Sequence, residues 1–373
     1  MRCNIIILDS TCNYFNVFKY FLHILNCICI ILLSLLMAED KKDEEKTMLY
    51  FKGYLKGHNG WVTALTMGSL DEKPMLISAS RDKTLIRWKL DAEPDERTEE
   101  IGKPLHSYKG HSHFIQDLCL SQDSKFAFTA SWDKTVRLWN LKEGESKKLF
   151  QGHSKDVLAV ALSLDNKMVL TGGRDASLKL WTVNAENKHT VENAHMKWVS
   201  CIKFGDPKKK QFFTGGWDHL VNVWDSQTLN KVVTLKKHTN YITCLALAPN
   251  GVILGSGSRD GNVILWNIDP AVLNDTANLE KNAVYKELRI VKSVNCIGFS
   301  STHAWVAVGT ESSLQIWDIK EAKMIIEVML EPTKMDAKSH QCIQALSLCF
   351  DAASTRIYVG CSDNNVRVFE LGK

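Results

Sequence analysis

From Leu49 onward, apolar and polar side chains alternate with a period of two in short runs, and clusters of Gly, Asn, Asp and Ser separate the runs. FAFTAS at 126–131, WDK at 132–134 and TVRLWN at 135–140 form one such unit. Alternation of this kind puts residues i and i+2 on one face, so the unit predicts strand, tight turn, strand. Asp suits the turn because its carboxylate accepts backbone N–H bonds. The unit recurs as RDKTLIRW at 81–88, WDKTVRLW at 132–139, RDASLKLW at 174–181, WDHLVNVW at 217–224 and RDGNVILW at 259–266. Two weaker copies end at Trp317 and Phe369, and a His lies 22 to 24 positions before each of the five strong Asp residues. These are His58, His111, His153, His195 and His238.

A Gly-His then Trp-Asp pattern with a period near 42 residues is the signature of WD repeats, each a four-stranded blade. The expected fold is all-β: a seven-bladed WD-repeat β-propeller over residues 48–373, preceded by an extension at 1–47 that is hydrophobic and then charged. The alternating stretch at 49–56 suits an outer strand beside 366–371, which would close the ring by joining the N-terminal strand to the last blade.

Within each blade, the His, a hydroxyl two residues before the Asp, the Asp and the Trp are expected to form a buried polar chain. Three blades offer all four: His58, Ser80, Asp82, Trp88; His111, Ser131, Asp133, Trp139; and His238, Ser258, Asp260, Trp266. Gly173 and Gly216 occupy the hydroxyl place in blades three and four, which predicts a missing link there. Blade six has Glu311 where the Asp would stand, and blade seven offers His340, Cys361, Asp363 and Phe369. Blades six and seven are therefore expected to be the least rigid.

Composition narrows the class further. With 45% apolar and 24% charged residues the chain is globular, and a net charge of +4 is too small to attract polyanions without local clustering. Of eleven cysteines, Cys201 and Cys244 each fall six residues after a repeat His inside apolar runs, and CxxC spacing is absent. Neither a disulfide framework nor a zinc site is expected, which points to a reducing, cytoplasmic setting. The apolar run at 20–37 pulls the other way. It reads as a membrane anchor, as a cleaved signal, or as residues ahead of a translation start at Met37 or later. The last is the expectation, because His23 and Asn26 interrupt the run, no small-residue cleavage site follows it, and Met37 opens a plausible soluble chain.

Once the repeat is in phase, exposed positions can be compared across blades. The residue before each turn Asp runs Arg81, Trp132, Arg174, Trp217, Arg259, and three residues after the repeat His come Trp61, Phe114, Trp198 and Tyr241. Arg and aromatics dominate interface energies, so this ring is a candidate protein-binding face. The alternative is that its aromatics pack between neighbouring blades. Arg81, Lys83, Lys109 and Lys134 concentrate positive charge on the first two blades, as phosphate recognition requires. Lys208 to Lys210 reads as a solubilising loop tip. No P-loop, GxSxG or paired catalytic carboxylates stand out, and the HisSerHis at 111–113 is committed to its blade through His111. The reading is a nonenzymatic platform with no metal, no cofactor and no DNA.

Beyond the generic repeat, GHNGWVT at 57–63, SASRDKTLIRWKL at 78–90, GHSHF at 110–114, SWDKTVRLWNL at 131–141 and GHSKDVLAV at 152–160 resemble the receptor for activated C kinase family. WVSCIKF at 198–204, GWDHLVNVW at 216–224 and DNNVRVF at 363–369 extend the resemblance over essentially all of 48–373. It implies a scaffold on the small ribosomal subunit that links translation and its quality control to protein kinases, with rRNA contacts at Arg81, Lys83 and Lys109. Ala176, the long linker at 269–283 and Phe369 depart from the family pattern.

Overall fold

The computed structural model describes residues 48–91, 93–95, 97–274, 278–331 and 342–372. The extension at 1–47, with its apolar run, and His340 lie outside the described residues. Among the described residues, no helix is long and apolar enough to cross a membrane.

Alternation produces the strands it predicts. Blade one is Val62–Leu70, Lys73–Ser80, Thr84–Leu90 and Gly102–Lys109, hydrogen-bonded in that order. Five further antiparallel sheets of four strands follow in sequence order. The seventh is Ala345–Phe350, Arg356–Cys361, Val366–Gly372 and, on its outer edge, Met48–Leu55 from the start of the chain. Met48 pairs with Gly372 and Leu55 with Val366, so the ring closes as the alternation at 49–56 indicates. The inner strand of each blade contacts the inner strands of both neighbours, which defines a seven-membered ring around a central channel.

Hydrophobic cores lie between blades, because both faces of every sheet are covered by a neighbour. Ile77, Ala79, Leu85 and Tyr108 of blade one pack with Ile115, Leu118 and Trp139 of blade two. Leu55, Trp88, Tyr358 and Val368 fill the equivalent space between blades seven and one. Burial pushes the Tyr108 hydroxyl up to about 12, and that hydroxyl donates to the Leu141 carbonyl at 2.7 Å. The Cys244 thiol is likewise raised to about 12 by burial, and Cys201 and Cys296 are raised too. These thiols stay protonated and act as small hydrophobes. The long linker contains two short helices, Pro270–Leu273, capped by Asp269, and Leu279–Asn282.

The polar chain within each blade runs through a different hydroxyl from the one expected. In blade one, Trp88 Nε1 donates to Ser78 Oγ at 2.7 Å, and the same Oγ lies 2.7 Å from His58 Nε2. With the Trp donating, Ser78 passes its own proton to Nε2, so Nδ1–H donates to Asp82 Oδ2 at 2.8 Å. The link is Thr129 in blade two, Thr171 in blade three, Thr214 in blade four and Ser256 in blade five. Ser80, Ser131 and Ser258 instead tie their turns: Ser80 donates to the Gly60 carbonyl and accepts from the Asp82 amide. The same pattern holds at Ser131 and Ser258.

Gly173 and Gly216 consequently break nothing. Blade three is complete through His153, Asp175, Thr171 and Trp181, and blade four through His195, Asp218, Thr214 and Trp224. A Cβ at Gly216 would meet His195 Nδ1 at 2.4 Å, so glycine is what lets the ring reach Asp218 there.

Blade six replaces the chain, and the described residues of blade seven carry a different anchor. Register puts Thr310 opposite Val294 as Ser80 stands opposite Val62, so Glu311 occupies the place of Arg81, and the turn is one residue shorter. Val308 fills the hydroxyl position, and Trp317 Nε1 donates to Gln315 Oε1 at 2.9 Å instead. Gln315, Ser313 and Lys292 then all donate to Glu327 Oε1. In blade seven Val359 stands at the hydroxyl place, and Phe369 has no N–H that would need one. Arg367 donates to Asp363 at 2.8 Å and sits 5.5 Å from the Tyr54 ring centroid, fastening the closing strand.

Candidate functional site

The turn between the second and third strands of a blade carries both candidate surfaces. Lys83 lies in the left-handed region at φ 72, and Lys134, Ala176, His219 and Gly261 repeat that conformation in blades two to five. Asp82 holds the turn: Thr84 N and Thr84 Oγ1 donate to its Oδ1, and Asn59 N donates to its Oδ2. Burial alone would raise this carboxyl. The hydrogen bond and attraction from His58, with Thr84 and the Asn59 amide, outweigh it and hold Asp82 well below the usual carboxylate range. Asp133, Asp175, Asp218 and Asp260 are lowered against burial in the same way by their own histidines and amides.

On one side of these turns, aromatics and arginines stack around the channel mouth. The Arg81 guanidinium lies 4.1 Å from the Trp61 ring centroid, 5.5 Å from Phe114 and 5.8 Å from Trp132. Arg174 lies 4.9 Å from Trp132 and 3.9 Å from Trp198, and pairs with Asp156 at 2.6 Å. Trp198 packs on Trp217 at 3.9 Å, and Trp217 stacks on Tyr241 at 4.5 Å with planes 9° apart. The aromatics of the ring thus pack between neighbouring blades, and Trp61, Trp132, Trp198, Trp217 and Tyr241 also line the mouth. Each is half-buried, whereas Arg259 is exposed and forms no ion pair among the described residues. Of the HisSerHis pair, His111 bonds Asp133 and Thr129, and His113 stacks on Trp132.

On the other side, a groove of about 470 Å³ between blades one and two is lined by Lys83, Lys109, Asn59, Asp82 and Ser107. Lys109 pairs in register with Thr84, which brings its side chain beside Lys83. Both lysines are exposed and free of ion pairs among the described residues. Arg81 lines the mouth rather than this groove, so the three residues that the resemblance groups as rRNA contacts divide between two surfaces. Lys208 to Lys210 fold into a capped turn in which Lys209 donates to the Gly251 carbonyl and Lys210 to Gln227.

Seven four-stranded blades, five of them locked by a Trp, hydroxyl, His, Asp chain, define a WD-repeat propeller. The WD domain, G-beta repeat family matches residues 50–89, 102–140, 144–182, 186–225, 229–267 and 287–318. The small ribosomal subunit protein RACK1 of Candida albicans is 40% identical over 328 residues, covering 88% of this chain and 98% of that protein. Its namesake in Drosophila melanogaster is 39% identical over 328 residues, 87% of this chain and 97% of that protein. MST50-interacting protein 11 of Pyricularia oryzae is 38% identical over 323 residues, 86% of this chain and 97% of that protein. The chain belongs to the RACK1 family of WD-repeat proteins.

Proposed function

We propose that this protein is a noncatalytic scaffold of the small ribosomal subunit, docked through the basic first-blade turn. The observation that carries the reading is a match over nearly the whole length of relatives whose names place them in that subunit. Lys83 and Lys109 supply the docking charge. Unpaired ammonium groups at a polar groove attract phosphate oxygens of folded RNA in a salt-dependent way. Arg81, one residue before Asp82 on the same turn, adds the third contact from the mouth side. The platform's role is to hold protein kinases and other signalling proteins near the translating ribosome, in the cytoplasm.

Sucrose-gradient sedimentation of Lys83→Glu with Lys109→Glu tests the docking surface. The variant is expected at the top of the gradient with an unchanged circular dichroism spectrum; co-sedimentation with small subunits while folded refutes it. A second reading, a ribosome-free adaptor that grips proteins through the mouth, is favoured by the stacked Arg and aromatic ring and by a relative named for the protein it interacts with. It requires Trp132→Ala to release partners that the lysine variant retains.

A further inference from the structure

Each inner strand bulges at its second residue, where its pairing with the second strand of the blade shifts. In blades one, four, five and six that residue reaches the next blade. Thr63 donates to the Ile115 carbonyl at 2.7 Å, Ser200 to Ile242 at 2.6 Å, Thr243 to Val294 at 2.7 Å and Asn295 to Ala345 at 3.0 Å. Each acceptor is the first residue of the adjoining inner strand. The residue after the bulge fastens two further seams. Ser347 donates to the Val62 carbonyl at 3.3 Å, joining blade seven to blade one, and Asp117 accepts from the Val160 amide at 2.9 Å, joining blade two to blade three.

Between blades three and four both positions are apolar: the bulge residue is Leu158 and the next is Ala159. Val199, which opens the inner strand of blade four, receives no side-chain donor. Among the described residues no hydrogen bond or ion pair joins the sheet at 157–191 to the sheet at 199–236. Packing remains, together with one cation: Arg174, held by Asp156 at 2.6 Å, lies 3.9 Å from the Trp198 ring centroid.

Packing does not make up the difference. Ala159, Ala161 and Ala194 stand in the core of this seam beside Leu170, Phe212 and Trp224, and an alanine buries little apolar surface. The seam between blades one and two carries alanines as well, at Ala64, Ala79 and Ala127. There, however, Tyr108 and Arg87 both donate to the Leu141 carbonyl in addition to the Thr63 bond. Local opening follows the boundary with the fewest stabilising contacts, so the seam without directional bonds opens at the lowest free energy.

We propose that the propeller opens and recloses at the seam between blades three and four, and not at the strand 48–55 that closes the ring. The mouth is then a jointed surface. Trp132 and Arg174 lie on one side of the joint, and the stacked Trp198, Trp217 and Tyr241 on the other. Opening parts the two groups and closure restores the contact of Arg174 with Trp198. The joint belongs to the propeller itself, so it stands whether or not the mouth receives a partner.

Native thiols supply the comparison for a test. Cys201 and Cys296 are buried, each is the third residue of its inner strand with a glycine opposite, and they face the seams after blades four and six. Ala159 holds the same place before the seam after blade three, with Gly172 opposite. Ala159→Cys in the full chain is alkylated with iodoacetamide at neutral pH, and each site is followed by peptide mass spectrometry. A buried thiol reacts only when its seam opens, so the introduced thiol should react roughly fivefold faster than Cys201 and Cys296, the factor of one net hydrogen bond. Adding Arg174→Ala should speed it further and leave Cys296 unchanged. Hydrogen exchange of the unsubstituted chain gives a second reading that needs no variant: the inner strands at 157–162 and 199–204 should exchange before those at 62–70 and 345–350. Equal alkylation at all three thiols, no acceleration by Arg174→Ala, or earlier exchange at 62–70 and 345–350, which would put the opening at the closure, overturns the proposal.

Discussion

Deleting one hydroxyl from Ser78 or from Ser80 removes the same atom two residues apart, yet the two changes should differ threefold in cost. Both side chains are fully buried. Ser78→Ala orphans Trp88 Nε1 and His58 Nε2 in a space sealed from water. Each orphaned buried group costs about 1–3 kcal/mol, so the change should cost about 3 kcal/mol. Ser80→Ala frees the Gly60 carbonyl and the Asp82 amide at the turn, where water reaches, and should cost about 1 kcal/mol. An unfolding entropy of roughly 2.1 cal/mol/K per residue over the propeller gives about 0.7 kcal/mol/K. Differential scanning calorimetry should therefore show the midpoint falling by about 4 °C for Ser78→Ala and about 1–2 °C for Ser80→Ala. Equal shifts, or a larger one for Ser80→Ala, would falsify the assignment of the linking hydroxyl.

Three other outcomes are expected. Because Asp82, Asp133, Asp175, Asp218 and Asp260 are lowered in the folded state, their stabilisation is present above the ordinary aspartate value near 4 and lost as pH falls below it. Thermal midpoints measured from pH 6 to 3 should drop steeply below about 4, and Asp260→Asn should flatten that drop; a slope unchanged by the substitution would dismiss the carboxylates as its source. Gln315→Leu leaves Trp317 Nε1 unpaired and should cost about 1–3 kcal/mol by urea denaturation, whereas a neutral effect would remove the replacement chain from blade six. Deleting residues 48–55 exposes the strand Val366–Gly372 as a bare edge, so the shortened chain should self-associate on size-exclusion chromatography, and a synthetic Met48–Leu55 peptide should restore the monomer.

The blades, their number and the closing strand were legible because each follows from local alternation and a long-range echo. The His and Asp partners were legible too, since their separation recurs. The linking hydroxyl was not: Ser78 and Ser80 are two apart and share a face, so alternation cannot separate them. The cross-strand register decides, with Leu76 opposite Trp88, which puts Ser78 within reach of the indole N–H. The blade-six chain was illegible because Lys292, Ser313, Gln315 and Glu327 come from three separated segments. In the candidate sites, residue types at repeat positions located the ring. Only the fold could show that Arg81 stacks at the mouth while Lys83, two residues on, lines the outer groove.

Among the described residues, the strand that emerges first during synthesis, Met48–Leu55, pairs with the last, Val366–Gly372. At roughly 5–20 residues per second, the stretch at 48–55 waits about 15–60 s for its partner to leave the ribosome. Until then blades one to six can stack in order, but the toroid is a broken ring with an unmatched ribbon at one end. Circular permutation that moves this ribbon to the C-terminus would abolish the wait, and would leave every contact of the finished propeller in place.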